Sequence, residues 1–206
     1  MRALLAIVAI VIAVAVYYFA NQPAKDAAPA IAPEPAQTEP SSESSIGLID
    51  DARINAAESE PGNWLAFGRT YEEQRFSPLT QINRETVGDL GLAWFKDMGT
   101  NRAQEATPIV VDGIMFFTTT WSRVHAVRAT TGETVWTYDP QVPREWGRRA
   151  CCDVVNRGVA VYNGRVYVGS LDGRLIALNA ETGEKVWEVD TIIDRDRFYT
   201  ITGAPR

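Results

Sequence analysis

Residues 107–139, TPIVVDGIMFFTTTWSRVHAVRATTGETVWTYD, decide the fold because their pattern returns at residues 158–190 as GVAVYNGRVYVGSLDGRLIALNAETGEKVWEVD. The two copies align without a gap at an offset of 51 residues. Each copy alternates short runs of β-branched and aromatic residues with turn dipeptides, which is typical of antiparallel strands. The sequence therefore predicts two equivalent four-stranded units.

Two-residue hairpin turns separate the first two strands of each copy. Asp112-Gly113 follows Ile109–Val111 in the first copy, and Asn163-Gly164 stands at the equivalent place in the second. Both turn positions of such a hairpin require positive φ, which Asn, Asp and Gly tolerate. We place the third strands at residues 124–127 and 175–178, and the fourth strands around Trp136 and Trp187 after Thr-Gly turns.

Self-similar four-stranded units at this spacing are typical of a β-propeller, so the predicted fold class is all-β. A blade buries one face against each neighbouring blade, and two blades leave apolar surface uncovered. Because propellers contain at least about four blades, we expect residues 47–206 to be the truncated N-terminal part of a longer propeller. By itself this part is expected to be poorly stable.

The first 46 residues differ from the rest in composition. Arg2 precedes an uncharged apolar run over residues 3–20, which predicts an apolar helix that is either a cleaved signal peptide or a retained membrane anchor. Residues 21–46 are rich in Ala, Pro, Glu and Ser, and we predict a disordered linker there. Both interpretations of residues 1–20 place the following domain in the periplasm, where it is secreted or anchored to the inner membrane.

Charge and motif content exclude several function classes. The net charge of −6 and the lack of a Lys/Arg cluster argue against a nucleic-acid partner and favour a small ligand. The single histidine, His125, aligns with Ile176 inside a strand, so we interpret it as a packed or half-exposed strand residue and not as a base or a ligand. No metal-type His/Cys spacing and no phosphate-binding glycine loop occurs in the sequence.

The two cysteines, Cys151 and Cys152, are adjacent. An even cysteine count in an exported protein favours a disulfide. However, neighbouring Cα atoms lie about 3.8 Å apart across a trans peptide, which is shorter than the usual span of a bridge. On these grounds a vicinal disulfide, two reduced thiols and intermolecular pairing all remain open.

A further pattern in each copy carries a family resemblance. Ala126-x-Arg128-x-x-Thr131-Gly132-x-x-x-Trp136 and its counterpart from Ala177 to Trp187 resemble the tryptophan-docking motif of eight-bladed quinoprotein dehydrogenases. Arg128 departs from that motif, which has Asp or Asn there. Three upstream stretches resemble the opening segment of the methanol/ethanol branch, which uses pyrroloquinoline quinone (PQQ): Trp64-x-x-x-Gly68-Arg69, Arg75-Phe76-Ser77-Pro78-Leu79-x-Gln81-Ile82-Asn83 and Leu92-Ala93-Trp94.

The resemblance implies a set of cofactor-binding residues. Residues 151–158, CCDVVNRG, are similar to the family motif whose vicinal disulfide lies flat on PQQ, which implies a bond between Cys151 and Cys152. Arg157 corresponds to the ligand of a PQQ carboxylate, a role that suits the guanidinium fork. Glu105 corresponds to a PQQ contact at the mouth of a blade. Thr202 corresponds to a PQQ-binding threonine, with Thr200 as the second choice.

The family's activity is the oxidation of primary alcohols to aldehydes by hydride transfer to PQQ, with Ca²⁺ or a lanthanide as the Lewis acid. Electrons then pass to a cytochrome c or a quinone, and haem c is possible in the full-length protein. In the family the metal ligands and the catalytic Asp lie in later blades. We therefore predict no catalytic or metal-binding residue in this chain and no activity for the chain alone.

Two alternatives differ in what they require of the sequence. A non-catalytic propeller that scaffolds envelope proteins, as in outer-membrane assembly lipoproteins, predicts a lipobox cysteine after the apolar run and no Cys-Cys-Asp motif. A membrane-bound glucose-type quinoprotein dehydrogenase predicts several N-terminal membrane helices and no adjacent cysteines. The single apolar run and the Cys151-Cys152-Asp153 motif argue against both.

Overall fold

The computed structural model describes residues 46–206. The predicted apolar helix of residues 3–20 and all but the last residue of the predicted linker lie outside the described residues. Between Ile46 and Arg206, no helix is both long enough and apolar enough to cross a membrane.

Two four-stranded antiparallel sheets form the body of the structure, as the repeat predicts. In each sheet the strands are neighbours in chain order, which makes each sheet a simple meander, and we call the sheets the first and second blade. The first blade contains β1 (Ile109–Val111), β2 (Ile114–Thr118), β3 (Val124–Arg128) and β4 (Thr134–Tyr138). The second contains β5 (Ala160–Tyr162), β6 (Arg165–Gly169), β7 (Arg174–Asn179) and β8 (Lys185–Asp190).

The predicted hairpin turns are confirmed. Asp112 and Gly113 have φ values of 53° and 76°, and Asn163 and Gly164 have 46° and 70°. These left-handed conformations are those that a tight two-residue turn demands. The third strands extend one or two residues beyond the predicted ranges because their pairing with β2 and β6 continues to Arg128 and Asn179.

The core lies between the two blades. Phe116 of the first blade is fully buried, and so are Ile176 and Leu178 of the second. Trp136 joins the blades directly: its indole N–H donates to the carbonyl oxygen of Ala180 at 2.9 Å. Its ring lies against Gly183, where an added Cβ would approach the Trp136 ring to 2.6 Å. The tryptophan of one blade thus docks on the Thr-Gly turn of the next.

Trp94 makes the same contact one blade earlier. Its indole N–H donates to the carbonyl oxygen of Ala129 at 3.1 Å, and its ring covers Gly132. Ala129 and Gly132 are the first-blade equivalents of Ala180 and Gly183. The segment around Trp94 therefore packs on the first blade as β4 packs on the second.

The segment that precedes the blades contributes to the same core. The helix α1 (Asp51–Asn55) begins at Asp50, whose side chain accepts a hydrogen bond from the backbone N–H of Arg53 at 2.7 Å. Leu65 is almost fully buried, and Trp64 forms an antiparallel bridge with Val110 of β1. Short 3₁₀ helices occupy Ala57–Ser59, Val87–Asp89 and Arg144–Arg148, and Thr120–Ser122 forms a turn with non-helical backbone angles at Trp121.

The meander places several loops at one end of the blades. Because successive strands are antiparallel, the segment before β1, the β2–β3 loop and the β4–β5 loop all lie at the end opposite the Asp112-Gly113 turn. The second blade repeats this arrangement, with residues 191–206 following β8. Glu105, Arg157 and Thr202 are all carried by loops at this end.

Candidate cofactor site

Arg157 is the centre of the candidate site. Its Nη2 lies 2.9 Å from Oε2 of Glu105, and its Nη1 donates to Oγ1 of Thr202 at 2.7 Å. The Arg157 and Glu105 side chains are 39% and 37% exposed, so both remain open to solvent on one side. The structure thus brings three of the five predicted site residues into direct contact.

Backbone pairing explains why these distant residues meet. The N–H of Thr107 donates to the carbonyl oxygen of Arg157 at 3.1 Å, and the N–H of Arg157 donates to that of Thr202 at 2.9 Å. Thr107 and Gly158 also form a parallel bridge. The three loops therefore run side by side, each contributing one polar side chain.

Gly158 makes this close approach possible. Its φ is +129°, and an added Cβ would lie 2.8 Å from the carbonyl oxygen of Thr107. A larger residue would both strain the backbone and separate the two loops.

Thr202, and not the second choice Thr200, contacts Arg157. Thr200 is half-buried and has no hydrogen bond to another residue within the described part of the chain. The structure favours Thr202 as the residue that shares an edge of the site with Arg157.

Cys151 and Cys152 are joined by a disulfide, which decides between the alternatives that the residues alone leave open. Both cysteines are exposed. Asp153, the next residue, forms an ion pair with Arg102. The bond lies in the β4–β5 loop, at the same end of the blades as Arg157.

Asn156 supports Arg157 from behind, a role that the sequence analysis did not assign. Its side chain is buried, and its Nδ2 donates to the carbonyl oxygen of Gly169 at 2.8 Å and to Oγ of Ser122 at 3.2 Å. Its Oδ1 accepts from the N–H of Gly158 at 3.1 Å. These bonds fix the backbone on both sides of Arg157. The sequence could have indicated this role, since Asn156 belongs to the motif of residues 151–158 that also contains Arg157.

Two tryptophans pack beneath the disulfide-bearing loop. Trp146 is buried in a small cluster with Val142, Val154 and Leu171. Trp121 is partly buried, and the guanidinium of Arg144 stacks on its ring at 4.4 Å from the ring centroid. Trp121 belongs to no motif in the sequence and had no predicted role.

His125 is a packed strand residue, as predicted. It is buried in β3, with its ring stacked on Phe117 and its two nitrogens within 3.2 Å of the hydroxyls of Thr119 and Thr137. Burial lowers the pKa of His125 to about 4, and the positive charges of Lys96 and Arg123 act in the same direction. The imidazole is therefore neutral at pH 7.

The chemistry of the site is that of an anion-binding edge. Arg157 supplies a guanidinium fork, Thr202 a hydroxyl and Glu105 a carboxylate that accepts hydrogen bonds. Among residues 46–206, no three His, Cys, Asp or Glu side chains are grouped in a way that could hold a metal ion. This arrangement can bind and orient a planar anionic ligand.

Comparison with known proteins gives a consistent result. The family model described as the β-propeller domain of PQQ glucose/ethanol/alcohol dehydrogenases matches residues 64–190, more than half of the chain. The dehydrogenase subunit of alcohol dehydrogenase (quinone) from Komagataeibacter europaeus is 54% identical over 165 residues, which cover 78% of this chain and 22% of that protein. 1-Butanol dehydrogenase (cytochrome c) from Thauera butanivorans is 57% identical over 145 residues, covering 70% and 21%.

A solved structure agrees in sequence and in fold. The quinohemoprotein alcohol dehydrogenase ADHIIG from Pseudomonas putida HK5 is 57% identical, with a TM-score of 0.77, over 78% of this chain and 24% of that one. The chain spans between a fifth and a quarter of the length of these relatives.

Proposed function

Because the chain belongs to the family of PQQ glucose/ethanol/alcohol dehydrogenase β-propellers, we propose that it forms one wall of the PQQ site of an alcohol dehydrogenase. The enzyme oxidises primary alcohols to aldehydes and is periplasmic. The observation that carries this proposal is the contact of Arg157 with both Glu105 and Thr202, in loops at the end of the blades that bears the Cys151–Cys152 disulfide.

The residues fit PQQ, which is planar and carries three carboxylates. The guanidinium of Arg157 has five N–H donors, and its contacts with Glu105 and Thr202 leave donors for a carboxylate of the ligand. The exposed disulfide offers a flat, uncharged surface to a ring system. The donor set and the open side of Arg157 therefore suit this cofactor.

Bound PQQ supplies the hydride acceptor. Arg157 would hold a carboxylate of the cofactor, while Glu105 and Thr202 fix the two ends of its guanidinium. Glu105 would also accept hydrogen bonds from the cofactor. Cys151 and Cys152 would cover one face of the ring system and exclude water from it.

The remaining parts of the catalytic centre belong to other blades in this proposal. They are the ligands of a Ca²⁺ or lanthanide ion and the base that takes the alcohol proton. Electrons leave to a cytochrome c or a quinone, which accords with the names of the relatives from Thauera butanivorans and Komagataeibacter europaeus. The quinohemoprotein relative supports a haem c in the intact protein.

The proposal also predicts that residues 1–206 alone do not oxidise alcohols, since they provide one wall of the site. The test is to load the intact protein and the 206-residue chain with PQQ and Ca²⁺, or with PQQ and a lanthanide, and to measure dye reduction with 1-butanol. We expect PQQ-dependent reduction by the intact protein only. If the isolated chain reduces the dye, the proposal that it provides only one wall of the site is refuted. If the loaded intact protein reduces no dye with any primary alcohol, the proposed function is refuted.

A further inference from the structure

The disulfide lies within a loop that one residue supports at both ends. We define the disulfide loop as residues 147–154. At its start, Gly147 lies so close to Trp121 that an added Cβ would be 3.1 Å from Cη2 of the indole. At its end, the carbonyl oxygen of Val154 accepts a hydrogen bond from the N–H of Trp121 at 2.9 Å. Both ends of the disulfide loop therefore rest on Trp121.

Trp121 adopts a backbone conformation that is unusual for a bulky residue. Its φ and ψ are 64° and 24°, in the left-handed region. Such a conformation persists only where the surroundings enforce it, and it is frequent at functional sites. Here it directs both the ring and the backbone N–H of Trp121 toward the disulfide loop.

Arg102 ties the middle of the disulfide loop to a second element of the site. Its guanidinium pairs with Asp153, the residue that follows Cys152, and lies 6.0 Å from the centroid of the Trp121 ring. Arg102 is three residues before Glu105 in the same loop. The ion pair thus links the loop that carries Glu105 to the loop that carries the disulfide.

We propose that Arg102 is a positioning residue that, through Asp153, sets the disulfide loop at the spacing from Glu105 and Arg157 that the cofactor requires. This inference rests on the proposed PQQ site. The ion pair is solvent-exposed, with Arg102 and Asp153 side chains 49% and 33% accessible, so it contributes little to global stability. Its effect is local, on the position of the disulfide.

Asp153→Asn distinguishes positioning from simple attraction between charges. This variant removes a negative charge beside a site for an anionic cofactor, so charge attraction alone would tighten PQQ binding. Positioning predicts the opposite, because Asn is neutral and loses the ion pair with the guanidinium of Arg102. Asn also tolerates the left-handed conformation of Asp153, whose φ is 68°.

The experiment measures the dissociation constant for PQQ in the intact apoprotein by calorimetric titration. The variants are Arg102→Gln, Asp153→Asn and the double variant, with Arg123→Gln as the matched control. Arg123 forms an ion pair with Asp139 at 2.9 Å, and this pair is about as exposed, at 40% and 42%. We expect each of the three variants to raise the dissociation constant about tenfold, and the double variant to be no worse than either single one. We expect the dissociation constant of the control variant Arg123→Gln to stay within about twofold of the wild-type value.

A second readout follows the disulfide itself. In the proposed site PQQ would cover one face of the disulfide, so we expect bound PQQ to slow its reduction by a water-soluble phosphine in the wild type. We expect Arg102→Gln to lose this protection. Its thermal unfolding midpoint should change no more than that of Arg123→Gln.

Tighter PQQ binding by Asp153→Asn, or additive losses in the double variant, would overturn the positioning role. So would equal protection of the disulfide in wild type and Arg102→Gln. If the wild type itself does not bind PQQ, the proposed function fails as well. Normal binding by the wild type and all variants removes only the role of Arg102.

Discussion

Arg157 donates to the hydroxyl of Thr202 at 2.7 Å, although 45 residues and the whole second blade separate them in sequence. This hydrogen bond fixes one arm of the guanidinium, and the ion pair with Glu105 fixes the other. The candidate cofactor edge is therefore assembled from the segment before the first blade, the connection between the two blades and the segment after the second blade. The relative positions of Glu105, Arg157 and Thr202 therefore depend on how the two blades pack against each other.

Thr202→Val tests the contribution of that hydroxyl. Valine keeps the shape of threonine and removes the acceptor for Arg157, so the guanidinium loses one of its two anchors. We expect the dissociation constant for PQQ in the intact protein to rise about three- to tenfold. The matched control is Thr200→Val. Thr200 lies two residues away and has no hydrogen bond to another residue in the described part of the chain. This control should change the dissociation constant by less than about twofold. Equal effects of the two variants would show that Thr202 has no special role.

The vicinal disulfide predicts a specific pattern of labelling. Trypsin cleaves after Arg149 and Arg157, which leaves both cysteines in the peptide of residues 150–157. Without reduction, this peptide should resist alkylation and have the mass of an internal disulfide. After reduction it should carry two labels. Alkylation before reduction, or a peptide cross-linked to a second one, would contradict the bond between Cys151 and Cys152.

Docking of the two blades should be sensitive to a single methyl group at Gly183. Its φ is +74°, and an added Cβ would meet the Trp136 ring at 2.6 Å. We expect Gly183→Ala to lower the free energy of unfolding by roughly 1–3 kcal/mol, measured by guanidinium denaturation of the intact protein. Gly62→Ala is the control, since Gly62 lacks a positive φ and has no atom within 4 Å of an added Cβ. A loss at Gly62 as large as at Gly183 would argue against this account.

His125 should make the folded protein sensitive to mild acid. Its pKa is about 4 in the folded state, below the ordinary value of 6.5, because burial disfavours the charged ring. Between pH 6.5 and pH 4 the unfolded chain therefore binds a proton that the folded chain does not, and stability falls as the pH falls. Below pH 4 this contribution becomes constant.

The measurement compares wild type with His125→Gln by denaturation at pH 7 and pH 5. We expect the wild type to lose roughly 2 kcal/mol more than the variant over this interval. The lowered pKa values of Glu60 and Glu188, which arise mainly from hydrogen bonds with Arg53 and Lys185, act at lower pH and in both proteins. If wild type and variant show identical pH dependence of stability, His125 does not gain a proton on unfolding.

Much of the fold is local in origin and could be predicted. Asp112-Gly113 and Asn163-Gly164 fix the hairpins because few other residues tolerate the turn conformation, and the period of the repeat then gives the number of strands. The segment from Ile46 to Leu65 was not predicted to be part of the core. Its helix is a single short turn, and residues such as Ile49 and Leu65 are buried only through contacts that the sequence does not reveal.

The family resemblance proposed the residues of the candidate site but not the contacts between them. The motif of residues 151–158 made Cys151, Cys152 and Arg157 candidates, and the structure adds that Arg157 contacts Glu105 and Thr202. Such long-range contacts depend on blade packing. The ion pair of Arg102 with Asp153 and the support from Trp121 were missed for the same reason, since neither Arg102 nor Trp121 belongs to a motif.

The most direct test of the account is the affinity of the intact apoprotein for PQQ when Arg157 is replaced by lysine. Lysine keeps the positive charge and loses the fork that contacts Thr202, Glu105 and a carboxylate of the ligand at once. We predict a rise in the dissociation constant of about 10- to 100-fold. Arg165→Lys, at the exposed start of β6, serves as the control and should leave it unchanged. An Arg157→Lys protein that binds PQQ as tightly as the wild type would contradict the account.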